Sequence, residues 1–284
     1  MLRSVNDLTG FHLLATDGEI GHVEEFYFDD ERWALRYIVV NTGNWLSGRQ
    51  VLISPFSVKQ VDWEKRLLHV ALTQSQVEHS PDIDTHQPVS RQMEAKYADY
   101  YGYPYYWGSP FLWGAEELPA LAALAARRPT AAAATATFAA ASSAVTGQAV
   151  TGVSVTGRLN PNGTAAPARV IPPDIHLRST QEVSAYSITA TDGELGHVED
   201  FLVEENSWAI RYLVVDTHNW WAGKKVMIAP QWIALIDWAQ ASVHVTLTRE
   251  GIKQSPTYDG TALLSRAYEE QLYGHYGQTG YWLN

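Results

Sequence analysis

The stretch from residue 15 to residue 43, ATDGEIGHVEEFYFDDERWALRYIVVNTG, carries the clearest structural pattern in the chain. Apolar residues flank Asp17-Gly18, a dipeptide typical of tight hairpin turns in which the glycine has a positive φ. A second turn at residues 29–31 leads into Ile38-Val39-Val40, a run typical of a strand buried on both faces. The stretch therefore predicts two consecutive β-hairpins.

The residues that follow continue the β pattern in short pieces. Strands are predicted at 51–54, 56–61 and 67–72, with Pro55 at a bend because proline has no N–H to donate to a sheet. Five or six short, strongly bent strands in about 70 residues favour a small closed barrel over a sandwich. Short helices are predicted to follow, the second with Ser90 as its N-cap.

The same pattern occurs twice, at a fixed spacing along the chain. Residues 3–82 align with residues 178–257 without a gap, and 33 of the 80 positions are identical. Such agreement indicates duplication and fusion. The chain therefore divides into a first module at 1–112, an Ala/Thr/Gly-rich low-complexity linker at 113–176, and a second module at 177–284, and we expect each module to fold alone.

The residues of this repeat resemble the PRC-barrel domain. The resemblance is carried by residues 15–43, by VLISPFSV at 51–58 and by VDW at 61–63, and it recurs in 178–257. The family is named after the cytoplasmic barrel of the photosynthetic reaction-centre H subunit, and stand-alone bacterial proteins carry two such barrels. The resemblance implies an all-β fold with short helices, built from two tandem small PRC-type barrels. It implies no reaction, because PRC-barrels are generally assembly or adaptor modules.

Charge and composition narrow the classes of partner and chemistry. The net charge is −11, with about −6 on each module and +1 on the linker. An acidic domain repels phosphate backbones, which argues against nucleic acid as a partner. The chain has no cysteine, which excludes disulfides and thiolate sites and fits a reducing compartment.

The sequence predicts neither a secretory signal nor a membrane span. No apolar core follows Arg3 at the start of the chain. The uncharged stretch 131–157 consists mainly of Ala, Thr, Ser and Gly, which are too weakly apolar to insert well. We therefore expect a cytoplasmic protein and leave peripheral membrane association open.

Polar residues that recur in both copies are candidates for chemistry. His22 and Glu24 lie two apart on one predicted strand, so their side chains should share a face, and His197 and Glu199 repeat the arrangement. Such a pair suits a proton relay or a metal site, or is a polar pair on a strand face; we favour the last, because no third ligand lies nearby. No nucleophile-elbow or phosphate-loop spacing occurs. We predict no enzymatic activity, catalytic residue, metal or cofactor.

Two arginines sit within strong predicted strands, each beside a tyrosine. We expect Arg36 and Arg211 to project to the solvent face or to pair with Glu24 and Glu199 across the hairpins. An anion site at either arginine is the less favoured interpretation.

The tails that follow the two barrels are rich in aromatic residues. More than half of the stretch 97–113 is aromatic, and the second tail is thinner. Tyr and Trp suit interfaces because they bury large area and keep a polar group. Each tail either wraps its own barrel or offers a surface for a partner or for self-association. The candidate partner-binding residues are Tyr100, Tyr101, Tyr103, Tyr105, Tyr106, Trp107, Trp113, Tyr276, Tyr281 and Trp282.

Together these features predict a non-enzymatic adaptor or scaffold that binds a protein partner or forms homo-oligomers. Two alike modules on one chain raise the effective concentration for a repeated partner. The alternative is an accessory factor of a membrane-associated photosynthetic or electron-transfer complex, by analogy with the reaction-centre H subunit.

Overall fold

The computed structural model describes residues 1–82, 89–127, 176–217, 224–260 and 264–283. Each half of the chain supplies strands to a seven-stranded sheet and carries a few short helices, which confirms the all-β prediction with two similar bodies. The strands of the first half are β1 (Leu2–Ser4), β2 (His12–Leu14), β3 (Glu19–Asp29), β4 (Ala34–Asn41), β5 (Gln50–Ile53), β6 (Val58–Asp62) and β7 (Leu67–Val70). Those of the second half are β8 (Leu177–Ser179), β9 (Ser187–Ala190), β10 (Gly193–Glu204), β11 (Ile210–Asp216), β12 (Lys225–Ile228), β13 (Ile233–Asp237) and β14 (Ser242–Val245).

The helices are short and lie mainly after the strands. The α-helices are α1 (Val5–Leu8), α2 (Gln74–Glu78), α3 (Arg91–Tyr101), α4 (Pro119–Arg127), α5 (Thr180–Val183), α6 (Arg249–Gln254) and α7 (Arg266–His275), and 3-10 turns span Pro55–Ser57, Pro230–Trp232 and Tyr281–Leu283. Ser90 caps α3 by accepting a hydrogen bond from the N–H of Met93, as its position in the sequence predicts. None of the helices in these described ranges is long and apolar enough to cross a membrane.

The two sheets have the same strand order, β5-β4-β3-β2-β7-β6 and β12-β11-β10-β9-β14-β13. Only the β2–β7 and β9–β14 pairs among these described strands are parallel. Neither path closes on itself, so the modules are open barrel-like sheets and not the closed barrels that we expected. The turn between β5 and β6 begins at Pro55, which has no N–H with which to extend the ladder from one strand to the next.

The first hairpin differs from the expected geometry at its glycine. Gly18 does not have a positive φ; the turn is closed by a hydrogen bond from the Ala15 N–H to the Gly18 carbonyl, at 2.8 Å. The positive φ, 154°, belongs to Gly21, where a Cβ would lie 2.1 Å from the backbone oxygen of Asn41. Gly196 repeats this close approach in the second sheet. Only glycine fits where the bent strand passes so close to its neighbour.

The two halves exchange their first strands. Strand β1 pairs with β10 of the second half, and β8 pairs with β3 of the first half. The registers are equivalent: Ser4 lies opposite Leu202 and Ser179 lies opposite Tyr27, and Ser179 and Leu202 are the repeat counterparts of Ser4 and Tyr27. A bridge between Ala34 and Ala209 lies between these equivalent positions. The described residues therefore form an internal pseudo-twofold arrangement.

The hydrophobic core is shared between the halves. One cluster of buried residues includes side chains from both sheets, and the rings of Phe28 and Phe201 lie 5.6 Å apart within it. Polar contacts also join the exchanged strands to the other half. The Ser4 hydroxyl donates to Asp200 at 2.5 Å, and the guanidinium of Arg178 pairs with Asp30 at 2.9 Å. Each half in this structure therefore receives a strand and core contacts from the other.

Part of the predicted linker packs with the first module. Trp113 is fully buried, and its Nε1 donates to the Ser207 carbonyl of the second half at 2.7 Å. Ala122 of α4 is also buried, and this helix lies against the turn Pro55–Ser57. The remainder of that linker, 128–175, lies outside the described residues, as does the stretch 131–157. The division at 112 and 177 stays a prediction.

Candidate functional site

The most unusual buried group is an arginine in the middle of β4. The side chain of Arg36 is fully buried, and two of its nitrogens donate to Asp29 Oδ2, the shorter at 2.9 Å. The expectation that Arg36 would reach solvent or pair with Glu24 was wrong. Asp29 ends β3, and the bulge between Tyr27 and Phe28 changes the register so that the carboxylate lies beside Arg36.

The same arginine anchors the aromatic tail. Its Nη1 donates to the Leu112 carbonyl at 2.7 Å, and its guanidinium lies over the rings of Tyr106 at 3.8 Å and Trp113 at 4.7 Å. A guanidinium over aromatic faces in a dry environment gains from both charge and contact area. Strand β4 thus positions the arginine that holds the tail in place.

A buried glutamate from α3 completes this arrangement. Glu94 accepts hydrogen bonds from the Tyr106 hydroxyl and, at 3.1 Å, from the guanidinium of Arg91. The Tyr37 hydroxyl also points at it, at 3.4 Å. We call this set the first cluster; it consists of Asp29, Arg36, Tyr37, Arg91, Glu94 and Tyr106.

Burial dominates the ionisation of the first cluster. Burial raises the pKa of Glu94 to about 7, although the hydrogen bond from Tyr106 and the charges of Arg91 and Arg36 act in the opposite direction. Burial and the neighbouring Glu94 also raise the pKa of Tyr37 and of Tyr106 well above the ordinary value. The phenols therefore stay protonated and serve as hydrogen-bond donors.

The second half repeats this cluster at the equivalent positions of the repeat. Arg211 pairs with Glu204 at 2.6 Å and lies 4.1 Å from the ring centre of Tyr281. Glu269 accepts hydrogen bonds from the hydroxyls of Tyr212, at 2.9 Å, and Tyr281, at 2.8 Å. The expected pairing of Arg211 with Glu199 was wrong for the same reason as in the first half. The second cluster consists of Glu204, Arg211, Tyr212, Arg266, Glu269 and Tyr281.

The first tail divides into buried and exposed aromatic residues. Tyr106 and Trp113 are buried against the chain itself, while Tyr101, Tyr103 and Trp107 are half-buried and stack on neighbouring rings. In this conformation the buried rings hold the tail in place.

Three rings of the tail remain open to solvent. The exposed fractions of Tyr100, Tyr105 and Phe111 are 41%, 44% and 45%. All three lie on the first tail: Tyr105 donates to Asp99, the chain neighbour of Tyr100, and Gly114, which bridges to Phe111, lies against the backbone of Tyr105. We call these three residues the exposed aromatic patch.

The second tail is packed more closely on its own sheet. The half-buried ring of Tyr276 lies 4.7 Å from that of Trp232. Tyr281 belongs to the second cluster, and Trp282 lies 5.0 Å from Tyr273. All three candidate residues of this tail therefore contact the chain, and none is as exposed as the patch on the first tail.

In each of the repeated His/Glu pairs, the glutamate contacts a side chain from another strand. A register shift at Val23/Glu25 interrupts the alternation of β3, and Glu24 accepts a hydrogen bond from Gln50 at 2.7 Å. In the second half Glu199 pairs with Lys225 at 2.6 Å, while His197 remains on β10. Among the described residues, no group of three or more His, Asp and Glu side chains could hold a metal ion.

Sequence reasoning missed both clusters, although a signal was present. Arg91 and Glu94 recur as Arg266 and Glu269 in the looser part of the repeat, beyond the gapless alignment. A charged pair that survives duplication next to an aromatic tail indicates a shared contact. The sequence could not show that Arg36 closes the cluster from the neighbouring strand, because that requires the bulge and the folded tail together.

Comparison with known families identifies a domain in the first copy of the repeat. Residues 2–77 match the family model of the PRC-barrel domain, so the first module carries a PRC-barrel domain. That match does not extend to the second module, whose likeness to the first is the 33 shared positions and the common strand order. None of the curated proteins matches the chain.

Proposed function

We propose that this chain, whose first module carries a PRC-barrel domain, is a non-enzymatic adaptor that binds a protein partner through its first aromatic tail. The domain suggests a general role in protein interaction. The observation that carries the proposal is the exposed aromatic patch of Tyr100, Tyr105 and Phe111. Aromatic residues are enriched in the cores of protein interfaces, and here they lie on a tail that Arg36 fixes in place.

A pre-formed patch lowers the cost of binding. Because the tail is anchored by buried Tyr106 and Trp113, its exposed rings lose little conformational freedom when a partner covers them. Two further apolar side chains, Leu121 and Leu124, are also exposed on α4, the part of the linker that packs with the first module. The alternative role in a membrane-associated electron-transfer complex rests on the family resemblance, and no contact among the described residues favours it.

The test is to change the patch without disturbing its anchor. We expect the variant Tyr100→Ser/Tyr105→Ser/Phe111→Ser to fold but to lose the proteins that co-purify with the tagged full chain from its native cells. Leu235→Ser, which removes an exposed apolar side chain from β13, is the matched control and should keep them. Light scattering on both variants distinguishes self-association from binding of a different protein. If a folded triple variant recovers the same proteins and has the same mass as wild type, the proposal is wrong.

A further inference from the structure

A cavity of about 380 Å³ opens beside the second cluster, where the two halves meet. Arg211 and Tyr281 of the second cluster line it, together with Gln231 and Tyr273. Arg32 and Trp33 of the first half form the facing wall. The volume lies within the range of pockets that hold small ligands or single large side chains.

The equivalent position in the first half is filled by a tryptophan. Trp113 lies 4.9 Å from the ring of Phe56 and 4.7 Å from the Arg36 guanidinium, and its Nε1 donates to Ser207. In the alignment of the two copies, Phe56 corresponds to Gln231 and Arg36 to Arg211. Ser207 corresponds to Arg32, which lines the cavity from the other half.

Arg211 is incompletely satisfied compared with its counterpart. Arg36 binds Asp29 and the Leu112 carbonyl and is fully buried, whereas Arg211 binds Glu204 and is 27% exposed. The Nε of Arg211 is itself buried and has no hydrogen-bond partner among the described residues. Among the described residues, Arg211 also has no carbonyl partner equivalent to Leu112, which accepts from the Nη1 of Arg36, and an incoming carbonyl would take that place.

We propose that this cavity binds a tryptophan of a partner protein, presented on an extended segment of the kind Pro-Phe-Leu-Trp. The indole lies between Arg211 and Gln231, and the carbonyl before it accepts a hydrogen bond from Arg211, as Leu112 does from Arg36. The inference rests on the proposed function, because it specifies a second place on the same adaptor where a partner segment binds.

Two sources within the chain, Trp113 of a second copy and the linker, are less favourable than a different protein as the source of this tryptophan. Trp113 of a second copy is fully buried in its own chain and would have to leave that site first. The linker from 128 to 175 contains no tryptophan or tyrosine, and its one aromatic residue is Phe138. A partner segment with a free tryptophan needs neither rearrangement.

The probe is a fluorescently labelled peptide with the sequence of residues 108–118, GSPFLWGAEEL, titrated into the full chain. We expect saturable binding at one site per chain, measured by fluorescence anisotropy. The same peptide with alanine in place of its tryptophan should bind at least about tenfold more weakly, because it loses the indole contacts.

Two substitutions in the chain locate the binding site. Arg211→Gln should weaken binding of the peptide about tenfold, since it removes a charge-assisted hydrogen bond and a stacking surface. Gln231→Phe should strengthen it about threefold or more, because it restores the ring that Phe56 supplies to Trp113. The second variant changes an exposed residue, so it keeps the test decisive even if Arg211→Gln does not fold.

The outcomes separate this inference from the proposed function. The triple variant of the exposed aromatic patch should bind the peptide as wild type does, because its changes lie outside the cavity. If the peptide does not bind wild type or the Gln231→Phe variant, or binds without any effect of these substitutions, the inference about the cavity is wrong. The role of the exposed aromatic patch is decided separately by the co-purification experiment.

Discussion

Among individual residues, the defining feature is a pair of duplicated clusters in which an arginine lies against aromatic rings, fully buried at Arg36 and partly exposed at Arg211. Arg36 is fully buried because Asp29, the Leu112 carbonyl and two rings replace its water shell. The charged form of Glu94 is unfavourable in this arrangement. Its pKa of about 7 shows that burial outweighs its hydrogen bond to Tyr106 and the charge of Arg91.

The raised pKa of Glu94 makes stability depend on pH. In the unfolded chain this carboxyl ionises near pH 4.5, whereas in the folded chain it keeps its proton to about pH 7. The folded state therefore binds more protons in this window, and the free energy of unfolding falls as pH rises through it, by at most about 3 kcal/mol. Glu94→Gln should remove this decline, as measured by urea unfolding between about pH 5 and 7.5. Glu269→Gln is the matched variant and should leave it in place; equal slopes for wild type and Glu94→Gln would contradict the assignment.

Among the secondary-structure elements, the exchange of β1 and β8 joins the halves through backbone pairing. Both strands have the same sequence, Leu-Arg-Ser, followed by a helical turn capped by the serine. Each strand adds to the outer part of a long bent strand, β10 or β3, and so covers backbone groups that would otherwise face solvent.

The exchange can be tested with a disulfide, because the chain has no cysteine of its own. Ser4 lies opposite Leu202 across the β1–β10 pair, whereas without exchange it would lie opposite Tyr27. We expect Ser4→Cys/Leu202→Cys to form an intramolecular disulfide on mild oxidation, since paired strand positions are close enough for one. Ser4→Cys/Tyr27→Cys should not. Peptide mapping by mass spectrometry distinguishes the two results, and the reverse outcome would show that each half keeps its own strand.

Taken as a whole, the described part of the molecule is a covalently linked pseudo-dimer whose larger hydrophobic cluster includes residues of both halves. The Phe28–Phe201 contact and the Trp113 bond to Ser207 join the two sheets through buried groups. This arrangement changes the expectation that either module folds alone, because an isolated half would lack the strand that its partner supplies.

Separation of the halves therefore has a specific expected result. Residues 1–127 and 176–284, produced as two chains in one cell, should assemble into a 1:1 complex that elutes with the mass of the joined pair. Residues 1–127 produced alone should dimerise, because a second copy offers the same Leu-Arg-Ser strand. Light scattering after size-exclusion chromatography measures both masses. A stable, folded monomer of 1–127 would show that the exchange is dispensable and that the module is independent.

Features that depend on neighbouring residues along the chain could be predicted from the sequence alone. Alternating apolar residues and turn dipeptides located most of the strands, and the constant spacing between identical residues revealed the duplication. Ser90 marked the start of α3, because a helix N-terminus requires a local acceptor for its free N–H groups. The resemblance to the PRC-barrel domain came from the same local pattern, and the family match at residues 2–77 confirms it for the first module.

The pairing of one copy of a repeated element with the other could be seen only in the folded chain. Leu2–Ser4 and Leu177–Ser179 are identical in sequence, so the strand itself does not specify which sheet it joins. Which sheet each strand joins depends on contacts between residues far apart in the sequence and on the core that both sheets share. The burial of Arg36, which its strand position does not reveal, and the open cavity beside Arg211 follow from the same long-range contacts. They depend on a tail that fills the site in one half, while the described residues leave the equivalent site open in the other.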